Sequence, residues 1–247
     1  MQFFSYLING ISLGSVYALI ALGYTMVYGI AKMLNFAHGD VIMIGSYVVY
    51  FAFGASGLNP VLSIVLSMIV CTILGVVIER LAYRPLREAP SLAVLITAIG
   101  VSYLLQQVAQ LSWSSNPKSF TSVVSGMKPV SLFGGQLTIS AETIVTIVAC
   151  VVIMVVLMWF VNYTPAGHAM LAVSEDRGAA QLMGVNVNGT ISLTFAIGSA
   201  LAAIAGALLC SSYPTLQPTT GAMPGIKAFV AAVFGGIGSI PGAFVGG

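Results

Sequence analysis

Residues 61–78 read VLSIVLSMIVCTILGVVI, a stretch of 18 residues without a charged side chain. A helix that crosses the hydrocarbon core of a bilayer needs about 20 mostly apolar residues, so this stretch predicts a membrane-spanning helix. The same pattern recurs along the chain, which therefore predicts an all-α fold, a polytopic bundle of transmembrane helices. The charge-free runs are residues 1–31, 41–78, 89–117, 143–167, 178–226 and 228–247.

The composition excludes several classes of protein. Of 247 residues 58% are hydrophobic, and only eight Lys or Arg and six Asp or Glu carry a formal charge. Soluble domains have about 25% charged residues, far more than this chain, so a soluble domain is excluded. The continuous apolar runs also exclude an outer-membrane barrel, because the strands of such barrels alternate apolar and polar residues. A net charge of +2 without a basic block leaves no electrostatic footprint for nucleic acid. The prediction is a single transmembrane domain over residues 1–247.

Polar and Gly- or Pro-rich segments divide the chain into about seven spans or half-spans. The second is short enough to be tilted, broken or partly re-entrant, and the seventh, rich in glycine around Pro241, is predicted to be broken or re-entrant. The predicted segments are residues 6–30, 41–53, 61–78, 91–111, 143–161, 191–211 and 225–247.

The printed sequence ends at Phe244-Val245-Gly246-Gly247, inside the seventh segment. A last membrane helix normally carries a polar flank that anchors it at the interface. The pattern predicts a C-terminal truncation, with one or two further spans in the whole protein. The alternative is a chain that ends on a buried helix.

The distribution of arginine predicts which loops face the cytoplasm. Residues 79–90 hold three Arg, and short loops rich in Arg and Lys stay on the cytoplasmic side. Alternation then places residues 112–140 outside, residues 162–190 inside and the amino terminus outside. The outer loop 112–140 is rich in Ser, Gly, Thr and Pro and is predicted to hold at most a short hairpin.

Sequence signs of catalysis are missing. None of the lysines is preceded by a glycine, so the chain lacks the Gly-Lys-Ser/Thr sequence of a phosphate-binding loop. Any ATP that drives this chain would therefore be hydrolysed by another subunit. Only two histidines, His38 and His168, occur, and the three cysteines each stand alone in an apolar run. We therefore expect no catalytic residue, no metal site and no cofactor.

The most polar element next to the spans is Asn35-Phe36-Ala37-His38-Gly39-Asp40. Ionisable groups at membrane depth are costly and point to a transport pathway or its coupling. Asn35, His38 and Asp40 are therefore candidates for the translocation path or its gate. Asp40 has an alternative role, because a carboxylate at the start of a helix caps free N–H groups and favours the positive end of the dipole.

Polar amides and small residues lie inside two long spans. Gln106 and Gln110 are one helical turn apart in the fourth span, where they would line a polar path or, as we favour, hydrogen-bond between helices. Gly198, Ala202 and Gly206 form a stripe of small residues on the sixth span. Such a stripe is typical of close helix contacts.

The predicted cytoplasmic loop 162–190 is too long for a simple turn. Residues 175–183 are predicted to form a short helix with Ser174 as its cap and two acidic residues in its first turn. A short helix beneath a bundle suits docking to a cytoplasmic partner. The alternative is a helix that packs on its own bundle.

Several ordered segments together carry a resemblance to a known family. They are residues 9–29, 35–40, 79–87, 172–176, 183–186 and 227–243. With these segments the chain resembles, over essentially its whole length, the permease subunits of branched-chain amino-acid ABC transporters of the LivH type. The resemblance implies an importer half in the bacterial inner membrane that moves branched-chain or related amino acids.

The resemblance also implies partners. These would be a second related permease, two cytoplasmic ATPase subunits, an extracytoplasmic substrate-binding protein and the small amino-acid substrate. ABC permeases share a coupling pattern of Glu-Ala-Ala, three residues, then Gly, whose helix sits in a groove of the ATPase. Gly178-Ala179-Ala180 and Gly184 follow that spacing with Gly in place of Glu. The implied coupling residues are Glu175, Asp176, Ala179, Ala180 and Gly184.

Three other functions stay open at this point. The same permease type also carries urea and short amides, and no pocket signature in the sequence separates these substrates from amino acids. A self-sufficient secondary transporter or channel would work with an ion gradient and without an ATPase. A purely structural subunit would have no substrate-dependent effect.

Overall fold

The structure is a computed structural model that describes residues 2–124, 126, 129–132 and 137–247. In this part of the chain five helices are long and apolar enough to cross a membrane, which confirms the predicted all-α transmembrane bundle. The helices are α1 (Gln2–Ala31), α2 (His38–Val49), α3 (Pro60–Ile78), α4 (Ser91–Trp113), α5 (Ala141–Tyr163), α6 (Pro165–Glu175), α7 (Arg177–Leu182), α8 (Val187–Ser212), α9 (Ala222–Phe234) and α10 (Ile240–Gly246). A π-helix (Tyr50–Ala55) follows α2, and a π-helix (Glu79–Tyr83) and a 3-10 turn (Arg84–Leu86) follow α3. The short strands are β1 (Lys118–Ser119), β2 (Val130–Leu132), β3 (Leu137–Ile139) and β4 (Thr215–Leu216).

Helix α8 lies at the centre of the bundle. Most of its side chains are buried, and it packs against α1, α2 and α3. Small residues allow the close approach: a methyl group on Gly206 would lie 2.6 Å from the Ile42 carbonyl oxygen, and one on Gly198 would lie 3.1 Å from Val27. The stripe of small residues is thus confirmed as a helix contact. Helices α3, α4 and α5 instead expose many apolar side chains, as lipid-facing helices do.

The third span is longer than predicted. The helix does not end at Ile78 but continues through one π turn and one 3-10 turn to Leu86. Glu79, the first charge after the apolar run, is fully buried and bonds both Arg87 and Ser192. Because the carboxylate has partners inside the bundle, it does not need to reach water, and the span continues past it.

Three connections gather on one face of the bundle, which we call the Arg-rich face. They are residues 32–37, 84–90 and 164–190. The guanidinium of Arg177 donates to the Ala31 carbonyl, and that of Arg87 donates to Asn188. Arg87 thus links the second connection to the third, and Arg177 links the third to the end of α1, next to the first. The predicted topology places all three connections on the cytoplasmic side. Their side of the membrane stays a prediction.

The opposite face, which we call the hairpin face, carries the short strands. Strands β2 and β3 form the hairpin predicted for loop 112–140, and β1 pairs with β4, so that the ends of α4 and α8 are joined. Positions 125, 127, 128 and 133–136 of that loop lie outside the described residues.

Helix α2 is a half-span that begins inside the membrane. Its first residue, His38, lies beside α1, because a methyl group on Gly23 would be 2.5 Å from His38 Nε2. Gly23 precedes the end of α1 at Ala31 by about two helical turns, so α2 starts roughly 12 Å from that end. Residues 32–37 must therefore turn back into the bundle. Of the alternatives for the second span, the structure has the partly re-entrant one.

Helix α9 is a second half-span, which reaches α2 from the hairpin face. It begins after Gly221, which packs so closely that a methyl group on it would lie 1.7 Å from the Gly39 carbonyl oxygen. It ends near the end of α1, where Gly238 contacts Gly29, and α10 then turns back. The predicted break in the seventh segment is confirmed. We call the meeting point of the N-termini of α2 and α9 the half-helix junction.

Candidate functional site

The half-helix junction holds two residues of the predicted pathway motif. The side chains of His38 and Asp40 are each only 1% exposed. The His38 ring packs on Tyr24 with 4.7 Å between ring centroids, and its Nε2 atom makes no hydrogen bond within the described residues. Two helix N-termini, the positive ends of two helix dipoles, meet beside these groups. This arrangement favours a negatively charged group at the junction.

Asp40 links two helices and is not a helix cap. Helix α2 begins at His38 without a side-chain cap, and the Asp40 carboxylate accepts a hydrogen bond from Gln106 Nε2 of α4 at 2.9 Å. The capping hydrogen bond considered for Asp40 was therefore wrong, although the carboxylate does lie in the first turn of the helix. Gln106 also bonds Ser102 at 3.3 Å. The structure thus gives Gln106 the interhelical bond that we favoured.

Of the other two predicted pathway residues, only Asn35 lies near His38, whose backbone N–H donates to the Asn35 carbonyl at 3.1 Å. Asn35 is buried and accepts a hydrogen bond from the Tyr83 hydroxyl at 2.9 Å, which ties the re-entrant connection to the end of the third span. Gln110 is exposed near the end of α4, in an open cleft with Phe51 and Trp113 on the hairpin face. The structure therefore brings His38, Asp40 and Gln106 together but not Gln110.

A buried polar network on the Arg-rich face was not predicted. Glu79 bonds Arg87, Ser192 donates to the second oxygen of Glu79 at 2.6 Å, and Arg87 also donates to Asn188. Among the described residues this is the one ion pair. The sequence signal was present, because Glu79 directly continues an apolar run and Arg87 follows about two helical turns later. The partners on α8 are distant in sequence and gave no signal.

The predicted coupling helix is divided into two helices. Helix α6 ends at Glu175 and α7 begins at Arg177, because Asp176 takes an extended conformation and accepts hydrogen bonds from the N–H groups of Gly178 at 2.7 Å and Ala179 at 3.1 Å. Asp176 is therefore the helix cap, and the predicted cap at Ser174 was wrong. Ser174 lies within α6, and its hydroxyl donates to the Leu171 carbonyl at 2.7 Å.

The C-terminal end of α7 is also fixed. Gly184 has φ +85, a left-handed conformation that glycine adopts without strain. The N–H of Gly184 bonds the Gln181 carbonyl, and the N–H of Val185 bonds the Ala180 carbonyl, the pair of bonds that defines a Schellman motif. The Gly at the end of the coupling pattern thus has a local structural reason, independent of any partner.

The surface of α7 is unusually apolar for a connection outside the spans. Leu182 is 90% exposed and Met183 85% exposed, whereas Ala180 is buried against the bundle. Glu175, Asp176 and Ala179 are exposed as well. Of the five predicted coupling residues, Ala180 alone faces inward. Together with Leu182 and Met183, the exposed ones form a surface that we call the α7 surface.

A polar cavity opens on the hairpin face between the ends of α1, α5 and α8. Its volume is about 510 Å³, within the range of small-molecule sites. Its one acidic lining residue is Glu142, which accepts a hydrogen bond from the Ser122 hydroxyl at 3.0 Å, and Leu13 and Val16 give it an apolar wall. Sequence reasoning missed this cavity, because its walls come from three distant segments. In the described residues no three His, Cys, Asp or Glu side chains are grouped to hold a metal ion.

Comparison with known proteins gives the family. Residues 6–247 match the family model described as branched-chain amino acid transport system / permease component. The chain is 46% identical over 253 residues to the high-affinity branched-chain amino acid transport system permease protein BraD of Pseudomonas aeruginosa, covering 98% of this chain and 81% of that protein. It is 43% identical over 258 residues to the corresponding permease protein LivH of Escherichia coli, covering 100% and 83%.

A relative of lower identity has a similar description. The chain is 31% identical over 243 residues to the probable branched-chain amino acid transport permease protein LivH of Methanocaldococcus jannaschii, covering 93% of this chain and 73% of that protein. No solved structure matches the chain. Matched over nearly its full length by the family model and by these relatives, the chain belongs to the permease components of branched-chain amino acid transport systems.

Proposed function

We propose that this chain is the membrane subunit of an ATP-driven importer that carries branched-chain or related amino acids across the bacterial inner membrane. The relatives named above are permease proteins of branched-chain amino acid transport. The chain has no Gly-Lys-Ser/Thr loop, so the proposal assigns ATP hydrolysis to separate ATPase subunits on the Arg-rich face. A second, related permease and a substrate-binding protein on the hairpin face complete the assembly.

The observation that carries this proposal is the α7 surface. Leu182 and Met183 are almost fully exposed on a helix that is fixed at both ends, by Asp176 and by Gly184. Large apolar side chains on an aqueous face are stabilised when a partner covers them. A short, rigid helix with an apolar tip suits a groove on an ATPase subunit. Because both ends of α7 are fixed, a displacement of the ATPase would move the helix as a unit.

Movement of α7 reaches the bundle through Arg177. This first residue of α7 donates to the carbonyl of Ala31, at the end of α1. The last carbonyls of a helix have no intrahelical partner, and a cation there also favours the negative end of the dipole. Ala31 is followed directly by the connection to His38. A shift of α7 therefore acts on α1 and, through residues 32–37, on the half-helix junction.

The half-helix junction is the proposed gate. Gly39 and Gly221 leave no space between the N-termini of α2 and α9, so the path is closed at this point. When the ATPase subunits bind ATP and approach each other, they displace α7, and the shift carried by α1 and residues 32–37 moves the start of α2 away from α9, so that the junction opens. The carboxylate of an amino acid then passes two helix N-termini, which stabilise it. Binding in the path is weak, because tight binding would slow release.

The cavity on the hairpin face is the proposed entry site. The Glu142 carboxylate attracts the ammonium group of the substrate, and Leu13 and Val16 contact an aliphatic side chain. A volume of about 510 Å³ accommodates a molecule the size of leucine together with water. Selectivity between related amino acids then rests mainly on the binding protein.

The test is uptake by purified permease pairs in proteoliposomes with partner ATPases and binding protein. We expect labelled leucine to accumulate only with ATP, with both ATPase subunits and with the binding protein. Uptake driven by an ion gradient without ATPase subunits would instead identify a secondary transporter. Uptake of urea but not of leucine would replace the substrate class and leave the ATP-driven mechanism in place.

A further inference from the structure

A cleft on the Arg-rich face is lined by three basic side chains, Lys32, Arg87 and Arg177. Its volume is about 440 Å³, and none of the described residues that line it is acidic. Arg80 and Arg84, on the same face, line a different cleft beside α8. The basic residues of this face are thus divided between two clefts, and three of them converge on one.

The positive charge of this cleft is only partly balanced. Arg87 bonds the carboxylate of Glu79, but Arg177 bonds only a neutral backbone carbonyl, and Lys32 makes no ion pair in the described part of the chain. Burial and the neighbouring guanidinium of Arg87 lower the pKa of Arg177 from the usual arginine value. The Nε atom of Arg87 is buried and lacks a hydrogen-bond partner among the described residues. About two positive charges therefore remain for an anion.

A helix N-terminus adds to this potential. Ser91, the first residue of α4, lines the cleft, and α4 has no side-chain cap at this end. The free N–H groups of a first helical turn point along the axis and, with the dipole, attract anions, phosphate above all. The end of α1 contributes the opposite dipole nearby, but Arg177 already bonds its Ala31 carbonyl. The convergent cations therefore determine the sign of the field.

The remaining wall of the cleft is apolar. Met33, Leu34, Leu86, Val94 and Leu95 line it. The third span ends at this cleft and α4 begins at it, and both helices cross the apolar layer. The cleft therefore lies at the level where lipid headgroups meet acyl chains. A small soluble anion would contact the basic side chains but leave the apolar wall exposed. A phospholipid would contact the basic side chains with its headgroup and the apolar wall with an acyl chain.

We propose that this cleft binds a phosphate group, and that its occupant is the headgroup of an anionic phospholipid. The phosphodiester lies between Lys32 and Arg177 with its oxygens toward the start of α4, and an acyl chain lies on the apolar wall. Basic pockets between transmembrane helices on the cytoplasmic side are a known form of lipid recognition. The proposal does not depend on which substrate the permease carries.

The site also suggests why a lipid would matter to the protein. Arg177 begins α7 and holds the end of α1, so a headgroup that bonds Arg177 supports the contact between the α7 surface and the bundle. The lipid would thus contact both α7 and the bundle and stabilise their contact.

The test is native mass spectrometry of the purified full-length permease pair. The protein is exchanged into detergent with phosphatidylglycerol, with phosphatidylcholine, or with inorganic phosphate alone. We expect phosphatidylglycerol to be retained preferentially and not to be displaced by millimolar inorganic phosphate. Lys32→Gln should lower the affinity for phosphatidylglycerol about fivefold, since each basic residue contributes a comparable factor at a membrane surface, and Lys32→Arg should restore it. Arg80→Gln is the matched control on the same face and should change nothing.

Any of four outcomes would overturn the proposal. Equal retention of both lipids, or a loss in Arg80→Gln as large as in Lys32→Gln, would show that the cleft does not select the headgroup. Complete displacement by inorganic phosphate would replace the lipid by a soluble anion. Unchanged lipid binding in Lys32→Gln would refute the site, and weaker association of the ATPase in that variant would then assign the cleft to a protein carboxylate. Because the Lys32 side chain makes no hydrogen bond or ion pair in the described structure, Lys32→Gln should fold normally, which its unfolding temperature will check.

Discussion

Replacing Gly221 with alanine should keep the proposed gate from closing, so that leucine leaks back and net uptake falls, while the protein still folds into the membrane. The added methyl carbon would lie 1.7 Å from the Gly39 carbonyl oxygen and 2.7 Å from its carbonyl carbon. Non-bonded heavy atoms rest about 3.5 Å apart, so the N-termini of α2 and α9 must separate by roughly 1.5–2 Å. The change therefore acts directly on the proposed gate.

The size of the effect follows from steric overlap alone. Gly221 has φ −83 and ψ −17, values that alanine adopts without strain, so the backbone conformation is not the cause. Overpacking a well-packed site costs about 1–3 kcal/mol. Because this cost falls on the closed junction, it changes the balance between closed and open states by about 5- to 150-fold. The shift is toward the open state, so we expect preloaded leucine to leak out of proteoliposomes without ATP faster by up to a factor in that range, and net ATP-driven accumulation to fall.

The matched control is Gly100→Ala. Gly100 lies within α4, and a methyl group on it would have no atom within 4 Å. This change should leave uptake unaltered and stabilise the helix by up to about 1 kcal/mol. Both variants are compared in proteoliposomes at equal permease content, with thermal unfolding in detergent as the folding check. If Gly221→Ala takes up leucine as fast as Gly100→Ala, the junction is not a closed gate.

Three further changes test other parts of the structure. Asp176→Ala removes both cap bonds of α7. It should weaken that helix by about 0.5–2 kcal/mol and lower ATPase co-purification several-fold. Ser174→Ala, a change within α6, keeps the cap and should not, so equal behaviour of the two variants would contradict the cap's role. Glu79→Ala leaves Arg87 without its partner and should cost about 3–5 kcal/mol of stability, seen as a lower unfolding temperature; an unchanged temperature would show that the pair is not structural. Glu142→Gln should raise KM for leucine uptake with kcat unchanged, and an unaltered KM would remove Glu142 from the entry site.

The spans were predictable because the signal that determines them is local. An apolar run long enough to cross a bilayer must be helical, since backbone groups in lipid have no other partners. The same reasoning explains the error at the third span. Glu79 reads as the start of a loop when the sequence is taken alone, and only its bonds to Arg87 and to Ser192 of α8 make its burial possible.

The cap of α7 shows a limit of a different kind. Ser174 and Asp176 are both good caps by residue type, and they are two positions apart. The choice depends on which of them takes the extended conformation, and Asp176 does so because α6 packs as a separate helix that runs up to Glu175. That packing involves α1 and α8, so no pattern within the loop reports it.

The pathway motif was correctly singled out, but its contacts were not predictable. His38 and Asp40 stood out because ionisable groups are rare in these spans. Their surroundings come from Tyr24 of α1, Gln106 of α4 and Gly221, which directly precedes α9. Sequence reasoning gave the chemistry of the junction, whereas the position of its parts depends on the tertiary fold.

The half-helix junction also sets the order in which the protein can be assembled. Gly39 lies near the start of the chain and Gly221 near the end of the part described here, so a ribosome makes α2 long before α9. Until α9 arrives, the polar start of α2 lies at membrane depth with an open side, where lipid is an unfavourable neighbour for His38 and Asp40. The insertion machinery must shelter this half-span until α9 enters from the hairpin face and covers its open side. An incompletely inserted permease would then carry an exposed acidic group inside the bilayer, a mark by which a membrane protease can distinguish it from the finished protein.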